Sequence, residues 1–490
     1  MATHFRVAII GTGFSGLGMA IRLKQEGIDD FVVFERAGDV GGTWRDNTYP
    51  GCQCDVPSHL YSFSFALNPE WSRTFSEQPE IQDYLRRCAG HFDVIPHVRF
   101  EHEVSDANWD DGAQHRVINT SAGQFTAQVL VAGMGGLSEP SIPRLPGIDS
   151  FEGAAFHTAQ WDHDVDLRGR RVAVIGTGAS SIQVVPHIQP EVEKLHLFQR
   201  TPAWIMPHPD RPLSDREHKL YRRFPLAQRL MRGAIYWARE TFVIPFVRPR
   251  LARVPEAAAR KHIAKQVPDS SLRRKLTPDY TIGCKRILIS NDYYPAVSQP
   301  NVELVTEGIR EVRPHSIVTG DGREVEVDVI IYGTGFRVTD MPAAERVRGR
   351  DGRTLSETWA GSMQAYLGTS IAGFPNLFML VGPNTGLGHN SIVFMVESQV
   401  EYVLGALRAM DAGGVASVDV RPDVQDAYNA ELQDQLKGTV WATGGCASWY
   451  LDDTGRNTTL WPGSTWPFRR RTRRFDPAAY TVRPDAKVPA

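Results

Sequence analysis

Residues able to do chemistry are concentrated in a few short stretches of this chain. Gly41 to Asp55 reads GGTWRDNTYPGCQCD. Its paired glycines let backbone approach a ligand closely, because no Cβ stands in the way. Trp44 offers a flat apolar face with one polar N–H. Tyr49-Pro50-Gly51 reads as a tight turn, which delivers Asp55 back to the same place. Such a loop suits packing around a flavin ring. Far downstream, Lys285 and Arg286 are adjacent. In an extended chain they point to opposite sides, so one could reach a cofactor phosphate and the other a reacting centre. Read from the residues alone, the two could equally be a pair of surface cations.

Two glycine-rich stretches supply the nucleotide chemistry. Gly11-Thr-Gly-Phe-Ser-Gly16 follows the apolar run Phe5 to Ile10, opens a helix through Gln25, and precedes a second strand, Phe31 to Phe34, that ends in Glu35. Gly11 makes the turn, Gly13 admits a pyrophosphate and Gly16 lets helix pack on strand, while the helix N-terminus attracts phosphate. Glu35 can accept both hydroxyls of a bare ribose, as in FAD or NAD. A second unit begins at Arg170 to Ile175 and continues through Gly176-Thr-Gly-Ala-Ser-Ser181. Ser181, in place of a third glycine, is small enough for close packing. Its next strand, Lys194 to Phe198, ends in Gln199-Arg200-Thr201. An arginine where the acid would stand is the pattern for a 2′-phosphate, hence NADPH.

The elements that must position these residues follow from periodicity. Helices are expected over Glu77 to Cys88, and over Glu217 to Phe224, Ala227 to Thr241 and Glu256 to Val267 within a basic helical insertion. Single strands are expected around Arg99 to Val104, over Gln128 to Gly133, over Val325 to Tyr332 and over Phe374 to Pro383. Ala107 to Phe125 reads as a hairpin. A helix should run from Ser391 to Ala409, capped by Asn390 or Ser391. Phe151 to Asp162 reads as a linker between the nucleotide units, in which His157 is structural and transmits cofactor binding. The aromatic tail needs a body to pack on and is expected to fold back over the first domain.

Composition bounds the rest. The chain has 490 residues, 54 Lys and Arg against 56 Asp and Glu, and a net charge of −2. No global field favours nucleic acid or an anionic membrane, so neither is expected as a partner. The odd count of five cysteines shows no disulfide framework, which points to a reducing cytoplasm. Cys284 reads as a packed thiol. Cys52-x-Cys54 is too closely spaced for a zinc pair and lacks partners, so no metal is expected.

Taken together these residues resemble the type I Baeyer–Villiger monooxygenases, within the class B flavin-dependent monooxygenases. GTWRDNTYPGCQCD resembles the family's first fingerprint. Phe151-x-Gly153-x-x-x-His157-x-x-x-Trp161-Asp162 resembles its second. The resemblance implies FAD, NADPH and O2, and conversion of a ketone to an ester or lactone through a C4a-peroxyflavin. It implies an α/β fold with two Rossmann-like dinucleotide-binding domains and a helical insertion in the NADP domain. The division is residues 1–147 for the first part of the FAD domain, 148–208 and 284–340 for the NADP domain, 209–283 for the insertion, and 341–490 for the rest of the FAD domain and the tail. Carried over by motif, Arg286 is the active-site arginine and Asp55 its partner. Gly11, Gly13, Ser15, Gly16, Glu35, Thr43, Trp44, Cys54, Asp55, Tyr61, Val104 and Asn390 would contact FAD. Gln53, Gly176, Thr177, Gly178, Ala179, Ser180, Ser181, Arg200, Thr201, Lys285, Arg286 and Trp449 would contact NADP. The family's usual Gly-Ala-Asn-Ile-Pro-Gly run after the tail tryptophan is replaced here by Asp452-Asp-Thr-Gly-Arg-Asn457. An alternative reading is the related oxygenation of amine nitrogen or thioether sulfur. A disulfide reductase would need a redox CxxC, and the chain offers only CxC.

Overall fold

The structure, a computed structural model, describes residues 2–484. Two parallel-cored sheets carry the two glycine loops. In the first, Val98–Arg99, Phe31–Phe34, Thr3–Ile10 and Gly123–Ala132 lie side by side in parallel, and His115–Thr120 and Val104–Asp110 extend it as an antiparallel meander. Leu377–Met379 adds to Gly123–Ala132. In the second, the order is Val302–Val305, Lys194–Phe198, Arg171–Ile175, Val329–Tyr332 and Ala154–His157, all parallel. Their inner strands are buried apolar runs, as strands covered on both faces must be.

Several expected elements change at particular residues. The strand expected around Arg99 to Val104 is split, because Glu101 adopts φ +57° between the two pieces. Val325 to Tyr332 also divides: Glu324–Glu326 joins a small antiparallel sheet and only Val329–Tyr332 enters the large one. Phe374 to Pro383 shrinks to Leu377–Met379, bracketed by Asn376 at φ +53° and Val381 at φ +59°. The supposed linker Phe151 to Asp162 contains the edge strand Ala154–His157 of the second sheet, paired in register with Val329–Tyr332. Its partner lies far downstream, so local sequence gives no sign of the pairing. His157 is buried and accepts from the Ala159 amide at 3.0 Å.

The insertion folds as helices Asp215–Arg223, Pro225–Glu240, Arg253–Gln266 and Ser270–Leu276. The long helix Ile392–Gly413 is capped by Ser391, whose hydroxyl accepts from the Val393 amide at 3.3 Å. The tail packs back on the body: Tyr480–Pro484 pairs antiparallel with Val415–Val420, and Trp441 and Trp461 are buried. Cys284 and Cys446 form a disulfide across 162 residues, with Cα atoms 6.1 Å apart. This corrects two readings at once. Cys284 is no free thiol, and the five cysteines do include a bridge; contact between two segments so far apart in sequence cannot be read from spacing. No helix among the described residues is long and apolar enough to cross a membrane.

Candidate active site

Each glycine loop leaves the carboxyl end of a central strand and opens a helix whose glycine N-cap has no side-chain cap, at Phe14–Gln25 and Ala179–Ile188. The amides of those first turns are therefore available to anionic ligands. Gly11 has φ +91°, and a Cβ there would lie 2.9 Å from the Gly133 carbonyl oxygen. A Cβ on Gly16 would meet the Gly11 oxygen at 1.8 Å, so only glycine fits. In the second unit, Ser181 takes that place because its opposite number is Gly333, where any Cβ would strike the Ser181 hydroxyl at 2.0 Å.

The Gly41 to Asp55 loop joins the two units. Gly13 and Gly42 face each other, and a Cβ on Gly42 would come within 3.0 Å of the Gly13 Cα. On the other side, the Tyr49 hydroxyl donates to Gln183 Oε1 at 2.9 Å, and Gln183 Nε2 donates to the Gln53 carbonyl at 2.9 Å. Gly51, at φ +79°, lies against the second helix so closely that a Cβ would sit 2.3 Å from the His187 ring. Thr43 is half-buried in the short helix Thr43–Asp46, and Trp44 donates from Nε1 to the Tyr61 hydroxyl at 3.0 Å. Burial pushes the Tyr61 hydroxyl and the Cys54 thiol up, and raises Cys52 to about 12. Cys52 and Cys54 are both free and buried, which removes them as a ready redox pair.

At the end of this loop Asp55 meets Arg286. Arg286 donates from Nε to Asp55 Oδ2 at 2.8 Å and from Nη2 to Oδ1 and Oδ2 at 2.7 and 2.6 Å. Its Nη1 makes a long contact to the Leu387 carbonyl, at 3.4 Å, and the guanidinium also lies within hydrogen-bonding reach of the Tyr450 hydroxyl. Burial pushes Asp55 up, but the Arg286 charge and its hydrogen bonds outweigh that and hold the carboxyl below its usual range. The Asp55 charge raises Arg286 above its ordinary value against an opposing burial effect. Both groups are ionised at working pH.

Sequence reasoning missed several neighbours. Arg239, from the helical insertion, donates to the Asp55 carbonyl at 2.8 Å. Tyr450 is buried beside Arg286; burial pushes its hydroxyl up to about 12, and the Arg286 charge opposes this. Arg239 lies in no recognisable motif; Tyr450 directly follows Trp449, which was the one pointer to it. Arg45 pairs with Glu35 at 2.8 Å, and its place inside the first fingerprint was the one available signal.

The predicted cofactor residues divide by place. Glu35 is buried just past the end of the inner strand Phe31–Phe34, where Thr12 donates to it from its amide and hydroxyl at 3.0 and 2.6 Å and the Ala37 amide at 3.0 Å. With Arg45 these donors fill its acceptor sites, so a ribose diol would enter by displacing the Thr12 hydroxyl or Arg45. Ser15 is buried in the adjoining first helical turn, and Val104 is buried at the start of that sheet's outer strand, Val104–Asp110. Asn390 donates to Glu240 at 2.6 Å and accepts from the Ser391 amide at 2.8 Å. Gln53 donates to the Phe75 carbonyl at 2.8 Å and to Asp210 at 3.2 Å. Thr177 donates to the Thr201 carbonyl at 3.0 Å, while Ala179 and Ser180 lie at the accessible helix start. Lys285 rests 5.3 Å over the Tyr280 ring. Burial lowers its pKa, and the charge of exposed Arg200 lowers it further. Arg200 has no ion pair among the described residues. Lys285 and Arg200 are thus close enough to interact, next to the glycine loop that Thr177 ties to Thr201. Trp449 is half exposed, its ring 4.5 Å from that of Tyr450, in the loop that the disulfide ties next to Lys285.

Comparison with known proteins agrees with this geometry. The sequence model of a family described as flavin-binding monooxygenase-like matches residues 4–224. A Baeyer–Villiger monooxygenase of Streptomyces coelicolor is 55% identical over 481 residues, covering 98% of this chain and 93% of that protein. One from Pseudomonas aeruginosa is also 55% identical, covering 98% and 92%. Among solved structures, an oxidised steroid monooxygenase bound to NADP superposes with TM-score 0.87 at 31% identity, covering 99% of this chain and 100% of that one. A Rhodococcus cyclohexanone monooxygenase bound to NADP+ gives 0.88 at 28%, with coverage of 99% and 100%. A complex of OTEMO with FAD and NADP gives 0.88 at 27%, covering 98% and 99%. Fold and site thus define a flavin-binding monooxygenase of the doubly Rossmann-like kind. Within that class, the chain belongs to the Baeyer–Villiger monooxygenase family.

Proposed function

We propose that this protein uses FAD, NADPH and O2 to insert one oxygen atom beside the carbonyl of a ketone, giving an ester or lactone. The observation that carries the reading is the forked Asp55–Arg286 pair at the junction of two glycine loops, in a chain of this family. Bound FAD supplies the redox chemistry, taking hydride from NADPH and activating dioxygen. The chain's own residues bind, orient and stabilise charge.

In the first unit Gly11, Gly13, Ser15 and Gly16 offer backbone to a pyrophosphate, and Glu35 accepts from a ribose. Thr43, Trp44, Cys54, Tyr61 and Asn390 shape the flavin's surroundings, and Val104 supports the adenosine side. In the second unit Gly176 to Ser181 receive the other pyrophosphate, Gln53 faces it from the joining loop, and Arg200, Thr201 and Lys285 hold the 2′-phosphate. Trp449 covers the nicotinamide and excludes water, which would otherwise divert oxygen to hydrogen peroxide.

Arg286 is the group that meets the reaction. Nε and Nη2 are committed to Asp55, which leaves Nη1 with donors to spare. That nitrogen supplies a fixed positive charge where the substrate carbonyl oxygen becomes anionic during oxygen insertion. Asp55 holds the guanidinium plane in place and moves no proton. The reading includes a cytoplasmic location, although the Cys284–Cys446 bridge removes the cysteine count as its support.

Product analysis tests it. Purified protein with FAD, NADPH and air should convert at least one of a panel of linear, cyclic and aryl ketones to ester or lactone. Sulfoxide from an aryl thioether, with no ester from any ketone, would shift the assignment to heteroatom oxygenation and leave Arg286 without its role.

A further inference from the structure

The helix Pro225–Glu240 is turned inside out. Positions 228, 232, 236 and 239 share one face; Gln228, Arg232 and Tyr236 are buried, Arg239 half-buried, and every one of them carries a polar group. Gln228 donates to the Asn68 carbonyl at 2.6 Å, Arg232 to the carbonyls of His59 and Leu60 at 2.7 and 3.1 Å, and Arg239 to the Asp55 carbonyl at 2.8 Å. The opposite face carries Leu226, Leu230 and Trp237, which are 64%, 66% and 58% exposed. Trp466 of the tail, 53% exposed, brings its ring within 6.2 Å of Trp237. A monomer's surface rarely gathers its large apolar side chains in this way without a partner.

The charge of this segment is one-sided. From Arg223 to Arg253 the only acid is Glu240, and it is buried. Arg223, Arg229, Arg248, Arg250 and Arg253 are exposed and make no ion pair or side-chain hydrogen bond among the described residues. The overall charge of −2 conceals this local field.

We propose that this face seats on the surface of an anionic lipid bilayer. Tryptophan and leucine beside unpaired arginine is the composition of an interfacial element, with indoles at the headgroups and the cations over lipid phosphate. The attachment is peripheral, since no helix among the described residues could span. A second copy of the chain fits less well. A two-fold contact would bring the arginines of both copies together with no exposed acid in the segment to neutralise them. The seat also has a use: the helix's inner face touches Asp55, so the reaction centre would lie beside the phase into which apolar ketones partition.

Vesicle flotation of the full-length, FAD-bound protein tests the proposal without turnover, so its outcome stands apart from the reading of the reaction. The protein should float with vesicles of phosphatidylcholine and phosphatidylglycerol, remain behind with phosphatidylcholine alone, and release at high salt. The triple variant Leu226→Ser, Leu230→Ser, Trp237→Ser should bind at least about tenfold more weakly, as should Arg248→Glu, Arg250→Glu, Arg253→Glu. Both should keep FAD and wild-type turnover of a water-soluble ketone. The proposal is overturned if the wild type ignores phosphatidylglycerol vesicles, if both variants bind as the wild type does, or if light scattering finds a dimer that the serine variant dissolves.

Discussion

Replacing Asp55 by asparagine keeps the side chain's shape and removes its charge. Arg286 now points three contacts of 2.6 to 2.8 Å at that carboxylate. The amide retains one acceptor oxygen and sets an N–H donor against the other guanidinium donor. One charged hydrogen bond is lost and the survivor becomes weaker, and each such bond is worth about 1.5–3 kcal/mol. The side chains of Arg286 and Asp55 are 32% and 26% exposed, so water restores part of the loss. A net cost of about 2–3 kcal/mol in holding Arg286 corresponds to a fall of roughly 30- to 150-fold in ester formation. Anaerobic rapid mixing with NADPH isolates flavin reduction, and gas chromatography of aerobic mixtures counts ester. Reduction should stay within about threefold of wild type, and the missing oxygen should appear as hydrogen peroxide. Ester formation at near wild-type rate, or an equal fall in reduction, would show that the fork does not position Arg286 for oxygen transfer. Because Asp55 lies below the ordinary carboxylate range, the wild-type pair should persist as pH falls and break only under conditions more acid than that range.

Further outcomes are expected. Arg286→Ala should still be reduced by NADPH and yield no ester, read by the same two assays; normal ester formation would refute its role. Lys285 has a lowered pKa, and a bound 2′-phosphate favours its charged form. NADPH affinity should therefore be full below the free-state pKa and lost as pH rises through it, with the KM for NADPH climbing at a lower pH than an ordinary lysine would give and that for NADH changing little. Arg200→Ala should likewise raise the KM for NADPH at least about tenfold more than that for NADH. Reduction of the Cys284–Cys446 bridge, or Cys446→Ser, should lower thermal stability by on the order of 2–5 kcal/mol, since the bridge closes 162 residues of chain. Melting curves with and without reductant, alongside peptide mapping of the bridge, measure this.

The sequence by itself determined whatever rests on local chemistry. Gly11, Gly16 and Gly176 are legible because their positive φ or the helix contact admits no side chain, and Glu35 and Arg200 because they stand at the ends of recognisable strands. The insertion helices were legible from periodicity to within a few residues. Tertiary structure decided what depends on meetings between distant segments. Asp55 and Arg286 lie 231 residues apart; the motifs suggested their pairing, while only the fold reveals that Nη1 is the nitrogen left over. The edge strand Ala154–His157 looked like a linker because its partner, Val329–Tyr332, lies far downstream. The Cys284–Cys446 bridge and Arg239 behind Asp55 carried no local signal at all, and Tyr450 beside Arg286 carried only its place next to Trp449. The inverted helix is the clearest case. A helical period in Pro225–Glu240 says that one face differs from the other, but not which face is buried. Here the partners that satisfy Gln228, Arg232 and Arg239 are carbonyls of the first unit, and their inward pull leaves Leu226, Leu230 and Trp237 outside.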